Sequence, residues 1–307
     1  MKKFLRKSLL TIFALTTFSL VGCGSNDTAQ VSSNASTPSS NEQNITPYTD
    51  EERVIGLSVP LVNIMSELGI NMVGVPDTKY TLDASTENLP KVGLSMSPDT
   101  EKILQLDPTH VIGLSTIRSM IEAPLSAGGI DPIYVNLENI DELKNTIETL
   151  GKLFNKQSEA TALIADFDAK VTAVVEEAKL NEPVKVLILF GFPGNYMIAT
   201  EASFVGQMAD LLGAINVSGE EKIVYVQMNL EELLVQDPDV ILRLAHGDQD
   251  VVIEMFDAEF ETNIIWQEFS AVQNNNIYDL DDAMFNVSAT LETPEALALL
   301  SEILYGN

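Results

Sequence analysis

The pattern of apolar and polar residues predicts helices and strands, and part of that pattern occurs twice. Residues 99–116 (DTEKILQLDPTHVIGLST) and 229–246 (NLEELLVQDPDVILRLAH) align without a gap at a constant offset of 130 residues. In each copy, apolar residues at helical spacing are followed by an Asp-Pro turn signal and by an apolar run typical of a buried strand. A helix followed by a buried strand is the unit of a parallel sheet covered by helices, so the repeat indicates two α/β halves.

The remaining periodic segments add helices and strands around the repeat. Residues 157–180 contain neither Gly nor Pro, and their apolar residues lie near helical spacing, which predicts one long helix between the halves. The fold class is therefore α/β, with two Rossmann-like lobes whose mainly parallel sheets are joined by that single long helix. Other strands are expected at 53–57, around 73, 91–94, 133–137, 184–190 and 196–200, with helices at 60–68, 140–150, 203–212, 251–260 and 294–304 and a loop at 191–194.

The first 23 residues indicate export and membrane anchoring. Four basic residues among the first seven precede an apolar stretch at 9–21 that is too short to span a bilayer, and the sequence LVGC ends at Cys23. This arrangement is typical of a bacterial lipoprotein signal. Residues 1–22 are therefore expected to be removed and Cys23 to be lipidated, with palmitate among its acyl chains, at the extracytoplasmic face of the cell membrane.

The rest of the chain divides into a tether and a globular part. Residues 23–50 are polar and small, which predicts a flexible tether because such a segment cannot bury enough apolar surface to fold. The globular part is expected to consist of an N-terminal lobe at 51–155, the linking helix at 156–181 and a C-terminal lobe at 182–307.

Composition and motifs argue against several classes of function. The signal peptide holds four of the 17 basic residues, so the mature chain carries 13 basic against 45 acidic residues, and binding to nucleic acid is not expected. Two histidines are too few for a Zn or Mn receptor, which uses about three together with carboxylates. No GxSxG, Walker or HExxH motif is present, and Cys23 is the single cysteine, so an enzyme is not expected.

Two side chains are placed where a ligand would bind. In open parallel sheets, ligands bind beyond the carboxyl ends of the strands. The predicted strand at 240–244 runs toward His246, whereas His110 lies at the start of its strand, at the opposite end of the sheet. Met96 lies in a loop between a strand and a helix, again at the crevice end. On the residues alone, His246 is either a ligand or a turn residue before Gly247, and Met96 is either a ligand or a core residue.

Four runs of sequence carry a resemblance to a known family. They are GLSMSPDTEKILQLDP, LILFGFPGNYMIATEASFVGQMADLLGAINV, DPDVILRLAHG and IYDLDDAMFNVSATLETPEAL. These runs are similar to the haem-receptor lipoproteins of the Gram-positive iron-regulated surface system. Those receptors belong to the substrate-binding proteins with a helical backbone that feed ABC importers of haem, siderophores and cobalamin. The resemblance covers nearly all of residues 53–305.

The resemblance implies a function and a ligand set. It implies that haem binds in the cleft between the lobes, that Met96 and His246 are the axial ligands of its iron, and that the receptor delivers haem to an ABC-importer permease. A thioether and a neutral imidazole suit haem iron. A monomer is expected, and a surface haem-donor protein is a further partner to consider. A ferric siderophore or cobalamin receptor of the same fold stays open as the alternative.

Further residues are expected to serve the ligand or the permease. The helix start at 57–61 and the side chains of Lys79 or Tyr80 are candidate donors to the haem propionates. The resemblance implies that Glu101 and Glu231, at equivalent places in the repeat, pair with permease arginines, and the alternative is two solvated helix glutamates. Candidate cleft walls are Val59, Pro60, Tyr80, Phe192, Pro193, Tyr196 and Phe285.

Overall fold

Two main β-sheets form the framework of the protein in its computed structural model, which describes residues 52–219, 222–227, 229–285 and 287–306. The predicted signal peptide, Cys23 and the tether lie outside the described residues. Both sheets are covered by helices on both faces, and the confirmed fold class is α/β with a long helix between the sheets. None of the helices in the described part is both long and apolar enough to cross a bilayer.

The first sheet belongs to the N-terminal lobe, and its four strands run parallel in the order β2-β1-β5-β6. Side chains alternate between its faces: Val54 and Ile112 face one apolar cluster, and Ile55 and Val111 face another. Strands buried on both sides read as continuous apolar runs, which is why this pattern was visible in the sequence. The elements of this lobe are β1 (Val54–Gly56), α1 (Val59–Glu67), β2 (Met72–Gly74), β3 (Gly93–Leu94), β4 (Ser97–Pro98), α2 (Thr100–Gln105), β5 (His110–Leu114), α3 (Arg118–Ala127), β6 (Ile133–Val135) and α4 (Ile140–Leu153).

The two lobes are linked by α5 (Gln157–Ala178), a helix of 22 residues. At 1.5 Å per residue its length is about 33 Å. It packs against α4, where Gly151 allows a close approach because a Cβ at that position would lie 2.6 Å from the Cβ of Ala160. The apolar face of α5 joins one continuous cluster of buried residues that includes side chains from both lobes.

The second sheet belongs to the C-terminal lobe and follows the order β10-β8-β7-β11-β12, with β9 paired to the first residues of β7. Strands β7, β9, β11 and β12 run parallel, whereas β8 is antiparallel to β7. The elements of this lobe are β7 (Lys185–Phe192), β8 (Asn195–Ala199), α6 (Phe204–Leu211), β9 (Ile215–Asn216), β10 (Tyr225–Val226), α7 (Leu230–Gln236), β11 (Val240–Ala245), α8 (Gln249–Thr262), α9 (Ser270–Gln273), β12 (Ile277–Leu280) and α10 (Thr293–Tyr305).

One predicted loop was wrong. The sequence predicted a loop at 191–194, but β7 continues through Phe192 and folds back into β8, with Phe192 opposite Asn195. Only Pro193 and Gly194 form the turn, and Gly194 takes a φ of +90° that favours glycine. The hairpin extends β7 toward the crevice and places the Pro193 ring beside Gly247, where a Cβ would lie 3.8 Å from the Pro193 Cδ.

The sequence repeat has the same backbone geometry in both lobes. Helices α2 and α7 begin after the N-cap residues Asp99 and Asn229, whose side chains accept hydrogen bonds from backbone amides of the first turn. Both helices end before an aspartate in the left-handed conformation, Asp107 with a φ of 45° and Asp237 with a φ of 46°. Strands β5 and β11 then begin at the same offset, so the repeated segments are structurally equivalent.

Candidate functional site at the carboxyl ends of the strands

His246 lies one residue beyond the carboxyl end of β11. Its backbone N–H donates a hydrogen bond of 2.8 Å to the carbonyl oxygen of Gly191 in β7, so the backbone of His246 is fixed to the sheet. The next residue, Gly247, has a φ of +92°, and Asp248 then caps α8 by accepting from the N–H of Val251. A strand end, a left-handed turn and a helix start therefore hold His246 at the edge of the lobe.

The His246 side chain is available for a ligand. The residue is exposed, and its ring centroid lies 5.5 Å from that of Phe190, which itself stacks on Tyr225 at 4.3 Å. Within the described residues, its imidazole makes no side-chain hydrogen bond. Contact with the Phe190 ring therefore restricts the imidazole while leaving its nitrogen atoms for coordination.

His110 has a different environment at the amino end of β5. Its Nδ1 lies 3.1 Å from the Thr109 hydroxyl and 3.5 Å from a carboxylate oxygen of Glu52, and its ring meets Phe154 edge to face at 5.3 Å. These contacts occupy the ring in the packing of the lobe. The two histidines are thus at opposite ends of their sheets, as the repeat alignment predicted.

Met96 lies at the tip of a two-residue hairpin between β3 and β4. The residue is 61% exposed, so the structure does not use it as a core residue. Gly93 starts the hairpin with a φ of +93°, and a Cβ there would lie 2.7 Å from the backbone nitrogen of Asp99. The Gly93 carbonyl oxygen accepts a 2.8 Å hydrogen bond from the N–H of Asp77, which ties the hairpin to the segment containing Lys79 and Tyr80.

Lys79 and Tyr80 connect the N-terminal lobe to the C-terminal lobe. Asp282 lies two residues after β12. The Lys79 ammonium and the Tyr80 hydroxyl each donate a 3.1 Å hydrogen bond to its Oδ2 atom. Hydrogen bonding to Asp282 raises the pKa of Lys79, whereas burial, followed by the negative charge of Asp282, raises the pKa of Tyr80. Lys79 also lines an open cavity of about 490 Å³ together with residues 247–250, immediately after His246.

Val59 is the first residue of α1, three residues beyond the carboxyl end of β1. The preceding residue, Ser58, is the N-cap, but its side chain makes no capping hydrogen bond, and its buried Oγ has no partner among the described residues. Pro60 follows at the second helical position. The first amides of a helix have no acceptor within the helix, so the N–H of Val59 is suited to an anion.

Tyr196 is half-buried and Phe285 is buried. The Tyr196 ring lies 5.8 Å from that of Phe256 and 6.4 Å from that of Trp266, and its hydroxyl donates to Glu259 of α8 at 3.2 Å. Burial is the main reason that its pKa rises to about 12. Phe285 is buried in the cluster shared by the two lobes. Both residues were expected to line the cleft. Phe285 is buried in the core, whereas the half-buried Tyr196 stays a predicted wall residue.

Glu101 and Glu231 are in equivalent positions at the second residue of α2 and α7. Both are exposed. A carboxylate in the first turn interacts favourably with the helix dipole. This interaction alone is enough to explain a glutamate at these two positions. Their role in docking stays a prediction.

Sequence reasoning missed Asp282 and the packing of Phe190 on His246. Asp281 and Asp282 directly follow β12, so the rule that identified His246 would have found them, had this strand been predicted.

Among the described residues, there is no group of three or more His, Cys, Asp and Glu side chains that could hold a metal ion.

Comparison with known proteins gives one family and several similar structures. A family model described as periplasmic binding protein matches residues 61–284. The high-affinity heme uptake system protein IsdE of Staphylococcus aureus is 32% identical over 256 residues, which cover 83% of this chain and 88% of that protein.

Two crystal structures cover a similar share of the chain. An ABC transporter substrate-binding protein from Listeria monocytogenes has a TM-score of 0.78 at 34% identity, covering 84% of this chain and 100% of that chain. Staphylococcus aureus IsdE complexed with heme has a TM-score of 0.77 at 32% identity, covering 83% and 99%.

Proposed function

The chain belongs to the periplasmic binding protein family, and from this premise we propose that it is a haem receptor that delivers its ligand to an ABC importer. Membership in a family of binding proteins confirms the prediction that the chain is not an enzyme. Haem as the ligand is supported by the relatives. IsdE is named as part of a heme uptake system, and the IsdE crystal structure that is similar to this chain is a complex with heme.

The observation that carries this proposal is the environment of His246. An exposed imidazole, fixed at its backbone and packed on one aromatic ring, is suited to bind a metal centre that approaches from the cleft. The proposed second ligand is Met96, whose exposed thioether is supplied by the other lobe. Imidazole and thioether together are a ligand pair typical of low-spin haem iron.

One ligand from each lobe would couple haem binding to the relative position of the lobes. Haem would bridge the cleft, and the bound state would therefore favour the arrangement in which Met96 and His246 both reach the iron. Exposed apolar side chains at the rim on both lobes, Leu94 and Val251, provide surface for the porphyrin.

The propionates need hydrogen-bond donors. We assign them to the Lys79 ammonium, the Tyr80 hydroxyl and the N–H of Val59 at the start of α1. The charge-assisted hydrogen bond from Lys79 would be the strongest of these.

Membrane attachment and transport complete the proposal. Lipidation at Cys23 would hold the receptor at the extracytoplasmic face of the membrane, and Glu101 and Glu231 would contact basic residues of the permease. The equivalent placement of these two glutamates supports docking through both lobes at once.

A haemin titration of the mature chain tests the function. We expect the visible spectrum of a six-coordinate, low-spin complex and quenching of the fluorescence of Trp266, the single tryptophan, which is buried in the C-terminal lobe. Saturating haemin should raise the melting temperature by about 5 to 10 °C, since ligand at one hundred times the dissociation constant contributes about 2.7 kcal/mol. A melting temperature that responds to ferric siderophores or cobalamin, but not to haemin, would favour the alternative receptor class.

A further inference from the structure

Asp282 occupies both side-chain donors that the proposed function assigns to the haem propionates. Its Oδ2 accepts from Lys79 Nζ and from the Tyr80 hydroxyl at the same distance, 3.1 Å. The donors belong to the N-terminal lobe and the acceptor to the C-terminal lobe. A single carboxylate oxygen thus already binds in the way a propionate oxygen would.

The carboxylate of Asp282 is shielded, whereas the Lys79 ammonium reaches solvent. The Asp282 side chain is 19% exposed and that of Lys79 is 63% exposed. A ligand carboxylate can therefore approach Lys79 from the solvent side, while Asp282 binds from the protein side. The two carboxylates cannot both take the full set of hydrogen bonds, because Tyr80 has one hydroxyl proton to donate.

The charges around Lys79 oppose the entry of a second carboxylate beside Asp282. Lys79 is the one basic residue in the lining of the cavity that it shares with residues 247–250, and Asp248 and Asp250 also lie there. An entering propionate meets those acidic groups together with Asp282. Removing the charge at Asp282 would free both donors and reduce the repulsion.

We propose that Asp282 is an internal competitor for the carboxylates of the ligand: it binds Lys79 and Tyr80 in the ligand-free protein, and a porphyrin propionate displaces it. This inference rests on the proposed function and deepens it. Asp282 thereby lowers the affinity for haem and makes binding dependent on the ligand's carboxylates. Displacement also breaks this particular contact between the lobes, while their shared buried cluster remains.

The test compares Asp282→Asn with Asp281→Asn. Asp281 is the adjacent exposed residue, and its Oδ1 accepts from the N–H of Ala283, a hydrogen bond that an asparagine retains. Each variant removes one negative charge, but only the first weakens the contact with Lys79 and Tyr80. Haemin and its dimethyl ester, which has no free carboxylate, are titrated into each protein.

We expect Asp282→Asn to raise the affinity for haemin by about twofold to fivefold, the range of an exposed ion pair. Affinity for the dimethyl ester should not change, and Asp281→Asn should resemble the wild type with both porphyrins. In a Lys79→Met/Tyr80→Phe background, the effect of Asp282→Asn should vanish. Melting temperatures of the ligand-free variants show whether each is folded.

Three results would overturn the inference while leaving the proposed function intact. The first is haemin affinity of Asp282→Asn that is unchanged or lower than that of the wild type. The second is an equal change of affinity for haemin and for the dimethyl ester, which would mean that Asp282 acts on the position of the lobes. The third is the same gain of haemin affinity in Asp281→Asn, which would be a general effect of charge. A wild-type protein that does not bind haemin would instead overturn the proposed function and this inference with it.

Discussion

The backbone N–H of His246 donates a 2.8 Å hydrogen bond to the carbonyl oxygen of Gly191. Gly191 and Ala245 form the last residue pair of β7 and β11, so His246 lies one residue past that pair. Gly191 is also the point where α8 approaches the sheet, since a Cβ there would lie 2.6 Å from Val252 Cγ1 and 2.7 Å from the Phe256 ring. The residue that anchors His246 therefore also sets how closely the following helix packs. The position of the imidazole is determined by both elements.

The proposed axial ligands can be tested separately. We expect His246→Ala and Met96→Ala each to change the low-spin haemin spectrum, because each removes one of the two strong-field ligands. The measurement is the visible absorption spectrum of each purified complex. Met120→Ala is the matched control, since Met120 is 59% exposed and lies on α3, which packs against β4. An altered spectrum for Met120→Ala, with none for Met96→Ala, would move the thioether ligand to α3.

Gly93→Ala should damage the hairpin that carries Met96. The left-handed backbone costs an alanine about 1–2 kcal/mol, and its Cβ would also meet the Asp99 nitrogen at 2.7 Å. We expect a lower free energy of unfolding in urea and weaker haemin binding. Gly129→Ala is the control, because its φ of +78° imposes similar strain while nothing lies within 4 Å of the added Cβ. Equal haemin affinities in the two variants would contradict the role of the hairpin.

Two half-buried tyrosines, Tyr196 and Tyr225, predict a loss of stability in alkali. Burial raises the pKa of both Tyr196 and Tyr225 from 10.0 to about 12. A raised pKa in the folded state means that the folded protein retains these protons at a pH where the unfolded chain loses them. Their contribution to the free energy of unfolding is therefore complete below pH 10 and is lost as the pH rises to 12. Urea unfolding of Tyr225→Phe should show a shallower decline over this range than the wild type. An identical slope would argue that Tyr225 ionises like a tyrosine in the unfolded chain.

The equivalent glutamates should act on transport and not on haem binding. We expect Glu101→Ala and Glu231→Ala to weaken association with the permease in membrane vesicles, while the haemin titration stays as in the wild type. Glu232→Ala is the control because Glu232 is an exposed neighbour in the same helical turn, and its equivalent in the first lobe is Lys102. Comparable loss in all three variants would indicate a general effect of charge instead of two specific contacts.

Much of the fold could be predicted because its signals are local and repeated. The helix over 157–180 and the apolar strand at 184–190 were found within two residues of their observed ends, since neither contains a breaking residue. Helix α3 was missed because Pro124, which cannot donate a backbone hydrogen bond, lies inside it. Strand β12 was missed because Asp279 interrupts its short apolar run, IYDL.

The site could be predicted in part for a different reason. His246 follows from the direction of a strand, which the sequence supplies. The packing of Tyr196 could not be predicted, because its ring contacts Phe256 and Trp266 of segments far away in the chain. The Asp282 contact depends on two loops from different lobes, and such pairings have no local signature.

The left-handed aspartates Asp107 and Asp237 fix where the strand begins in each repeat. A non-glycine residue with positive φ is uncommon, and here two of them end equivalent helices at an offset of 130 residues. Asn155 and Asn275 stop α4 and α9 in the same way, so this conformation is a general helix stop of the fold. Because β5 and β11 begin three residues after the stop in both repeats, Thr116 and His246 occupy equivalent positions, and the imidazole is a local substitution on a shared frame.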